Sequence, residues 1–450
     1  MKRKSWVSVL ALLMAITLLA ACGNNANNAG TNSGDTGGTG GSKDVTIKFY
    51  NWDPDQNAIK SIIADFEAEN PGIKVSSEVL VPGGSADDNL TKLDVLMATG
   101  EDVDVVAIPN QEYTVLRAAN SMFLPLTDYF AQDGVDVDED YLTSVKYNDD
   151  VYAVPQFVNQ WYVMLNKDHL DEAGLSVPQV GWTWDEYREY AKKMTKGEGP
   201  SKQYGTYFHT WGEFANPMLY TEKANPYMLN ETTSIFDDAS FDYWFDLRRA
   251  MEKEDKSVKT YSDVIGSKLN YRTEFFNEQA SMIFIGSWTI ADIGNVESYP
   301  HDFTTAFAPM PRMNEQSPIG GTNVAGEFLA LSKSTDHPEE AYKFLRYLST
   351  KGSEKRGAIS GWRGANSEAF ISAMLEKNPN LYDEESLKHT LFNEHVHSPN
   401  TGEINIAYGS EMKSGVLEAG FAKFILDNTS AADAKAYMVS EANKIIKQNQ

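Results

Sequence analysis

Eight tryptophans follow residue 21 of this 450-residue chain, and their side chains are the most informative about its chemistry. A flat indole ring can cover the apolar C–H face of a sugar, while carboxylates and amides at its edge bond the hydroxyl groups. The chain also carries 64 Asp and Glu residues, so its residue types fit carbohydrate binding. The eight are Trp52, Trp161, Trp182, Trp184, Trp211, Trp244, Trp288 and Trp362.

Two of these tryptophans are predicted to lie in a core rather than in a site. Trp184 lies inside the segment Thr183–Glu186, which matches a capping box at the start of a helix. Trp244 lies among Phe241 and Phe245 at helical spacing, which is typical of a buried helix face. The pattern around Trp182 favours neither role.

Motifs of known catalytic and metal centres are missing from this sequence. It has no GxSxG, HExxH, Walker or CxxC motif. His395 and His397 stand two residues apart, which is typical of a strand surface rather than of zinc ligands. The acidic run Asp133–Asp140 is followed by Tyr141 at the position where an EF-hand loop that starts at Asp136 needs glycine, so we interpret the run as a solvated loop. We therefore expect no metal and no cofactor. A glycoside hydrolase stays open as an alternative, because its cleft also contains carboxylates and tryptophans.

The charge of the chain restricts its partners. The formal net charge is −25, and removal of residues 1–21, which carry three basic residues and no acidic one, would leave −28. Nucleic acids and anionic membranes require clustered Lys and Arg, so nucleic acid is excluded as a partner, and a neutral or cationic ligand fits better. The single cysteine rules out an internal disulfide.

The amino terminus is typical of a secreted lipoprotein. A basic start at residues 2–4 precedes 14 mostly apolar residues, Trp6 to Leu19, which is the length of a signal peptide and too short for a membrane span. The next residues, Leu19 to Cys22, resemble the bacterial lipobox. We therefore predict a lipoprotein signal peptide over 1–21, a lipid on Cys22, and a flexible Gly/Asn/Ser-rich linker over 22–43. A chance cysteine beside an ordinary secretion signal is the alternative.

Periodicity predicts a β-α-β-α-β unit after this linker. Apolar residues alternate over 45–50 and 73–81, recur at helical spacing over 59–66 and 90–97, and predominate in a short buried strand over 103–108. This order implies a parallel sheet, whose ligands bind outside the carboxyl ends of the strands. Trp52 and Asp53 follow the first strand and Gln111 follows the third, so these residues are predicted to share one rim.

Further elements follow along the chain. Helices are predicted over 185–195, 241–253, 272–279 and 434–447, and another opens at Pro338. A buried strand over 282–285 precedes Gly286 and Trp288, which places Trp288 at a strand end facing a cleft. Phe328 and Ala330, with Val324, suggest one more strand.

Seven segments along the chain resemble one family. The order of these segments resembles that of extracellular solute-binding proteins of the carbohydrate-uptake kind, the ligand receptors of ATP-binding cassette importers in the maltose-binding-protein group. The segments are IKFYNWD with FEAENPGIKV, LMATGEDVDVVAIP, LPLTDYF, VYAVPQFVNQWYVMLNKDHLDEAGL, GWTWDEYREYAKKMTK, MIFIGSW and FLALSKSTDHPEEAYKFLRYLS.

The resemblance implies a two-lobed α/β fold of the periplasmic-binding-protein kind, with hinge strands and a cleft that closes on ligand. It implies an N-lobe from residues 44–152 and 315–362, and a C-lobe from 153–314 and 363–450. The chain would cross between the lobes near Val151–Pro155, Pro309–Pro318 and Gly361–Asn366.

The same resemblance, combined with these positions, implies a set of ligand-binding residues. The implied function is to capture an oligosaccharide and deliver it to a membrane permease with a separate ATPase. The protein would be a monomer, held by its lipid at the outer face of the cytoplasmic membrane. A receptor for peptides, polyamines or another cation is a further alternative. The implied set is Trp52, Asp53, Glu78, Gln111, Gln156, Trp161, Trp211, Trp288, Gly321, Asn323, Glu327, Trp362 and Arg363.

Overall fold

The computed structural model describes residues 44–52, 56–82, 86–400, 404 and 406–450, with side chains omitted at 86, 87, 367 and 368. The predicted signal peptide, Cys22, the linker and Asp53 lie outside the described residues. No helix in the described part is both long enough and apolar enough to cross a membrane.

The strands of the described residues form one nine-stranded sheet and a small hairpin. The strands are Val45–Tyr50 (β1), Ile73–Glu78 (β2), Val105–Ile108 (β3), Val145–Tyr147 (β4), Asp150–Asn166 (β5), Tyr204–Thr206 (β6), Met228–Asn230 (β7), Thr233–Ser234 (β8), Ala280–Gly286 (β9), Thr305–Ala308 (β10) and Val324–Leu331 (β11).

Helices make up most of the rest. The α-helices are Gln56–Glu69 (α1), Ala86–Thr99 (α2), Gln111–Ala119 (α3), Thr127–Gln132 (α4), Val137–Asp140 (α5), Lys167–Glu172 (α6), Trp184–Met194 (α7), Gly212–Ala215 (α8), Met218–Thr221 (α9), Ser240–Lys253 (α10), Tyr261–Gly266 (α11), Tyr271–Phe276 (α12), Ile290–Gly294 (α13), Pro338–Arg356 (α14), Ser367–Met374 (α15), Glu384–Leu391 (α16), Gly409–Glu411 (α17), Ala419–Leu426 (α18) and Ala431–Gln448 (α19). A π-helix, Met412–Glu418, joins α17 to α18, and 3-10 turns span Gly199–Ser201, Ser287–Thr289 and Pro379–Leu381.

The main sheet runs in the order β2-β1-β3-β11-β5-β9-β6. β1 pairs in parallel with both β2 and β3, which confirms the predicted β-α-β-α-β unit. β2 ends at Glu78 instead of continuing to Val81, because the backbone N–H of Val81 donates to the Asn89 side chain at the start of α2, at 2.9 Å.

The first lobe is built on two faces of this sheet. Alternate residues of β1 and β3 point to opposite faces, so Phe49 packs under α1 and α14 while Val106 packs under α2 and α3. Phe344 of α14 meets Phe49 and Phe66 with ring centroids 5.5 and 5.0 Å apart. Each such buried ring contributes about 1.5–3 kcal/mol through the area that it removes from water.

The second lobe has a separate core rich in aromatic residues. Trp184 and Trp244 are fully buried there with ring centroids 4.9 Å apart, which confirms the prediction for both. The capping box is also confirmed: the N–H of Thr183 donates to the Glu186 carboxylate at 2.7 Å, and the Glu186 N–H donates back to the threonine hydroxyl at 3.3 Å. Trp182, which the sequence left open, is buried and donates to the carbonyl of Pro309 at 2.7 Å.

The strand β5 belongs to both lobes. Its first half pairs with β4 and β11 and its second half with β9 and β10. Val154 packs in the first core and Val158 in the second, and on the neighbouring β11 Phe328 packs in the first core while Val324 packs against the second. The lobes therefore share two adjacent strands, which change lobe between those residues.

The segment that follows β10 stays with the second lobe. Met310 is buried in the second core, and Arg312 exchanges backbone hydrogen bonds with Trp182 and Trp184. Later in the chain, Trp362 packs against the first core and Phe370 in the second. The lobe boundaries given above stay predictions.

The acidic run before Tyr141 was expected to be a loop, and this prediction is wrong for part of it. Residues Val137–Asp140 form the short helix α5, because Asp136 accepts backbone hydrogen bonds from Asp138 and Glu139 as its N-cap. The side chain of Asp138 remains 67% exposed, as a solvated run requires.

Candidate ligand-binding cleft

A cavity of about 540 Å³ lies where the two lobes face each other. Gln111, Glu112 and Tyr113, at the start of α3, line it from the first lobe. The start of β11, Asn323 to Gly326, lies along it, and the second lobe supplies the opposite side. The second-lobe lining residues are Trp211, Glu213, Leu219, Tyr220, Lys223, Pro226, Asn400, Ser410, Lys413, Ser414 and Glu418.

An aromatic cluster stands at the second-lobe side of this cavity. Trp211 lines the cavity and is half-buried, and its ring centroid lies 6.1 Å from that of Trp288 and 5.5 Å from that of Tyr271. Trp288 in turn contacts the buried Trp161 edge-on at 5.6 Å. The predicted residues Trp161, Trp211 and Trp288 are therefore neighbours, although they are far apart in sequence.

The strand ends fix the position of this cluster. Trp161 on β5 pairs with Gly286, the last residue of β9, and the Trp288 ring lies over that glycine. A Cβ atom at position 286 would overlap the Trp288 ring, so only glycine allows the ring this position. The indole N–H of Trp288 donates to the Tyr271 hydroxyl at 3.1 Å, which sets the orientation of the ring.

Charged side chains form a second part of the second-lobe wall. The Lys413 ammonium donates to Glu213 Oε1 at 2.7 Å, and the N–H of Gly212 donates to Glu418 Oε1 at 2.8 Å. Burial raises the pKa of Glu418, although the Lys413 charge opposes this. The second oxygen of Glu213 is buried and has no hydrogen-bond partner among the described residues. This wall therefore offers carboxylate oxygens to donors such as hydroxyl groups.

Hydrogen bonds of the described residues cross the cleft from lobe to lobe. The hydroxyl of Tyr227, in the second core, donates to Glu112 Oε1 at 3.1 Å. The side-chain amide of Asn400 donates to Gln111 Oε1 at 3.2 Å. Both first-lobe partners stand in the first turn of α3, so that turn is the contact point between the lobes beside the cavity.

A buried polar group joins β5, β11 and the end of α14. With its amide nitrogen turned toward Glu327, Gln156 donates to that carboxylate at 3.0 Å and accepts from Arg356 at 2.6 Å. The guanidinium of Arg356 lies 3.6 Å from Glu327 and 4.4 Å from the Phe157 ring centroid. Burial raises the pKa of Glu327 to about 8, and the nearby guanidinium acts in the opposite direction. We call Gln156, Glu327 and Arg356 the hinge triad.

The structure places the predicted ligand residues in several regions. Gln111, Trp211 and Asn323 line the cavity, and Trp161 and Trp288 belong to the aromatic cluster behind it. Gln156 and Glu327 belong to the hinge triad.

Trp52 and Glu78 lie at the carboxyl ends of β1 and β2, away from the lining of the cavity. Trp52 packs against the first core beside a small crevice with Tyr50 and Asn89. Glu78 accepts from the Ser76 hydroxyl at 2.8 Å.

Three further predicted residues also lie outside the lining. Gly321 bridges to His397, and a Cβ on it would overlap the carbonyl of Thr221. The ring of Trp362 packs edge-on against Tyr141 at 5.1 Å. Arg363 donates from its backbone N–H to Asp140 and from its side chain to Tyr141.

Several lining residues were absent from the predicted set. Glu112 directly follows the predicted Gln111, and Glu213 is two residues from the predicted Trp211, so proximity in sequence was an available signal for both. Lys413 and Glu418 lie in the π-helix, a rare element that is often found at functional sites. No sequence pattern identified that element. Within the described part of the chain, no group of three His, Cys, Asp or Glu residues is placed to hold a metal ion.

Comparisons with known proteins agree with this architecture. The family model for bacterial extracellular solute-binding proteins matches residues 52–355. The multiple sugar-binding protein of Streptococcus mutans is 26% identical over 315 residues, which are 68% of this chain and 71% of that protein. The sn-glycerol-3-phosphate-binding periplasmic protein UgpB of Escherichia coli is 22% identical over 345 residues, which are 71% of this chain and 75% of UgpB. A sugar transporter from Rhizobium etli, solved in an open conformation, superimposes with a TM-score of 0.73 and 21% identity over 88% of this chain and 99% of its own. This last likeness shows the two-lobed fold.

Proposed function

This chain belongs to the bacterial extracellular solute-binding protein family, and on that premise we propose that it captures an oligosaccharide in the interlobe cavity and delivers it to the permease of an ATP-binding cassette importer. Binding without turnover is part of the proposal. The observation that carries it is the combination of the half-buried Trp211 ring, backed by Trp288, with carboxylates in the lining of one cavity between the lobes.

The aromatic cluster supports a sugar because of its geometry. Trp211 is half-buried, and its edge-on contacts with Tyr271 and with His209 hold the ring in place before any ligand arrives. A ring that is already ordered loses little entropy when a sugar stacks on it. The carboxylates of Glu213 and Glu418 then accept hydrogen bonds from hydroxyl groups at the edge of that ring.

The charge of the cavity lining favours a sugar over a phosphate ester, which is the ligand class in the name of one relative. The described lining contains Lys413 and Lys223 but no arginine, and each lysine lies 2.7 Å from a carboxylate, Glu213 and Asp238 respectively. A phosphate needs cations or several oriented N–H donors. Three lining glutamates would instead repel it, so a neutral ligand fits the cavity better.

We further propose that a lipid on Cys22 holds the mature protein at the outer face of the cytoplasmic membrane, with residues 22–43 as the linker. The support for this is the lipobox-like sequence after a short apolar run. Replacement Cys22→Ala should release the protein from the membrane fraction of cells that express it. Retention of the variant in that fraction would contradict the anchor.

A ligand screen tests the proposed function. We expect neutral oligosaccharides to raise the thermal unfolding midpoint of the purified full-length protein in detergent, with no new reducing ends after prolonged incubation. Glycerol 3-phosphate, polyamines and peptides should not shift the midpoint. Formation of new reducing ends would favour a glycoside hydrolase, and a shift with glycerol 3-phosphate alone would refute the sugar assignment.

A pair of variants connects the screen to the cavity. Trp211→Ala should weaken binding of the best oligosaccharide by ~10–100-fold, about 1.4–2.7 kcal/mol, because it removes an ordered stacking surface. Phe392→Ala is the matched control, since this ring is 38% exposed and lies outside the cavity lining. Equal affinities of both variants and the wild type would place the ligand elsewhere.

A further inference from the structure

A second cavity, of about 580 Å³, lies in the second lobe next to the interlobe cavity. It is lined by residues of the loop after β6 and by α11 with the loop that follows it. Each of the two cavities falls in the size range of roughly 300–1,000 Å³ that is typical of small-molecule sites. The lining residues are His209, Thr210, Tyr261, Val264, Ile265, Lys268, Leu269, Asn270 and Glu418.

The two cavities adjoin at Glu418 and at one pair of aromatic rings. Glu418 lines both of them, and its carboxylate accepts the N–H of Gly212. His209 lines the second cavity and Trp211 the first, and their rings meet edge-on with centroids 4.7 Å apart. The rings of Trp211 and His209 and the carboxyl group of Glu418 therefore lie where the two cavities adjoin.

The second cavity has the chemistry of a sugar site. Its described lining combines the rings of Tyr261 and His209 with the polar side chains of Thr210, Lys268 and Asn270. Nδ1 of His209 is 2.8 Å from the Tyr207 hydroxyl, which fixes the imidazole plane. Burial lowers the pKa of His209 to about 4, so the imidazole ring is neutral at physiological pH.

We propose that this second cavity is an additional subsite that binds further units of the same oligosaccharide, so that the natural ligand is a chain long enough to pass Glu418. The proposal rests on the proposed function. It adds a length requirement: a short sugar fills the interlobe cavity alone, and a longer chain gains contacts with Thr210 and Tyr261.

Calorimetric titration with homologous series of linear oligosaccharides, from two to seven units, tests the proposal. The series to use is whichever neutral series shifts the unfolding midpoint in the screen. For the wild type we expect affinity to rise by at least ~10-fold between the shortest binding chain and the longest. The measured quantity is the ratio of these two affinities within one protein, so changes that affect all sugars equally cancel.

Two independent changes should reduce that ratio toward one. Thr210→Trp fills the second cavity with a ring, and Tyr261→Phe with Lys268→Ala removes polar groups without adding bulk. Ser262→Trp is the matched control, because Ser262 is exposed on α11 and does not line the cavity.

The outcomes separate the subsite from the function itself. A ratio near one in the wild type, or a ratio that both cavity variants leave unchanged, overturns the second subsite while the interlobe site stands. Failure of every oligosaccharide to bind overturns the proposed function and the subsite with it. A reduced ratio in both variants and an intact one in Ser262→Trp supports the proposal.

Discussion

Glu327 at the lobe connection should make the stability of the protein depend on pH, and Glu327→Gln should remove that dependence. The side chain is 8% exposed, and burial raises its pKa from the ordinary 4.5 to about 8. Between these two values the folded protein keeps a proton that the unfolded chain releases. The contribution of protonated Glu327 to the free energy of unfolding is therefore complete below pH 4.5 and is lost as the pH rises through 8.

The size of the effect follows from the two pKa values. Between the two pKa values, the free energy of unfolding falls by at most about 1.4 kcal/mol for each unit of pH. From pH 5 to pH 8 the total decrease is therefore at most about 3.5 kcal/mol. The Arg356 guanidinium, 3.6 Å away, stabilises the ionised form and reduces this loss. We expect the wild type to lose about 1–3.5 kcal/mol relative to Glu327→Gln over this pH range.

Urea unfolding followed by tryptophan fluorescence at pH 5, 6.5 and 8 measures the difference. Constant ionic strength keeps the surface charges comparable. Glu69→Gln is the control, since Glu69 is an exposed carboxylate on α1, away from the hinge triad. Parallel pH profiles for the wild type and Glu327→Gln would refute the reasoning, and so would a wild type that gains stability relative to the variant as the pH rises.

Two further substitutions test the cleft. Tyr227→Phe removes the hydroxyl that donates to Glu112 across the cleft. Loss of this hydrogen bond should cost about 1 kcal/mol of binding free energy, so calorimetry should show sugar affinity weakened by ~5-fold. An affinity within twofold of the wild type would mean that this bond does not favour closure of the lobes. Gly286→Ala places a methyl group where the Trp288 ring lies, so the free energy of unfolding in urea should fall by about 1–3 kcal/mol and sugar binding should weaken. Gly266→Ala is the control, because a Cβ there lies in open space, and it should change neither quantity.

The first lobe could be predicted from the sequence because its signals are local. The alternation over β1 and the spacing of Ile59, Ile62 and Phe66 on α1 each depend on a few consecutive residues, and the parallel pairing of β1 with β2 and β3 follows from their order. The buried tryptophans were also predictable, because a capping box identified Trp184 and helical spacing identified Trp244.

The second-lobe wall of the cleft could not be predicted in the same way. Lys413 meets Glu213 from 200 residues away in sequence. The π-helix that carries Lys413 has only Met412, Val416 and Leu417 as buried apolar residues, and their spacing does not distinguish it from an α-helix. Trp52 and Trp362 illustrate the opposite difficulty. Trp52 follows a strand end and Trp362 lies in a predicted crossing, and both positions suggested a cleft. The tertiary structure instead packs both indole rings against side chains of the first core.

The two strands that change lobe, β5 and β11, are irregular at the same short stretch, and this gives the hinge triad its importance. The register of β11 shifts between Glu327 and Phe328, opposite Phe157 and Pro155, and proline has no N–H to donate to the sheet.

Gly361, at the start of the predicted third crossing, packs at the same place. A Cβ at Gly361 would overlap the Pro155 ring, and the carbonyl of Ile359 accepts from Val158 at 2.8 Å. The backbone ladder is therefore interrupted where β5 and β11 pass from one lobe to the other. The side chains of the hinge triad provide the polar contacts at that point. Because these contacts bridge the strands that change lobe, Glu327→Gln should alter sugar affinity as well as pH-dependent stability, while Glu69→Gln should alter neither.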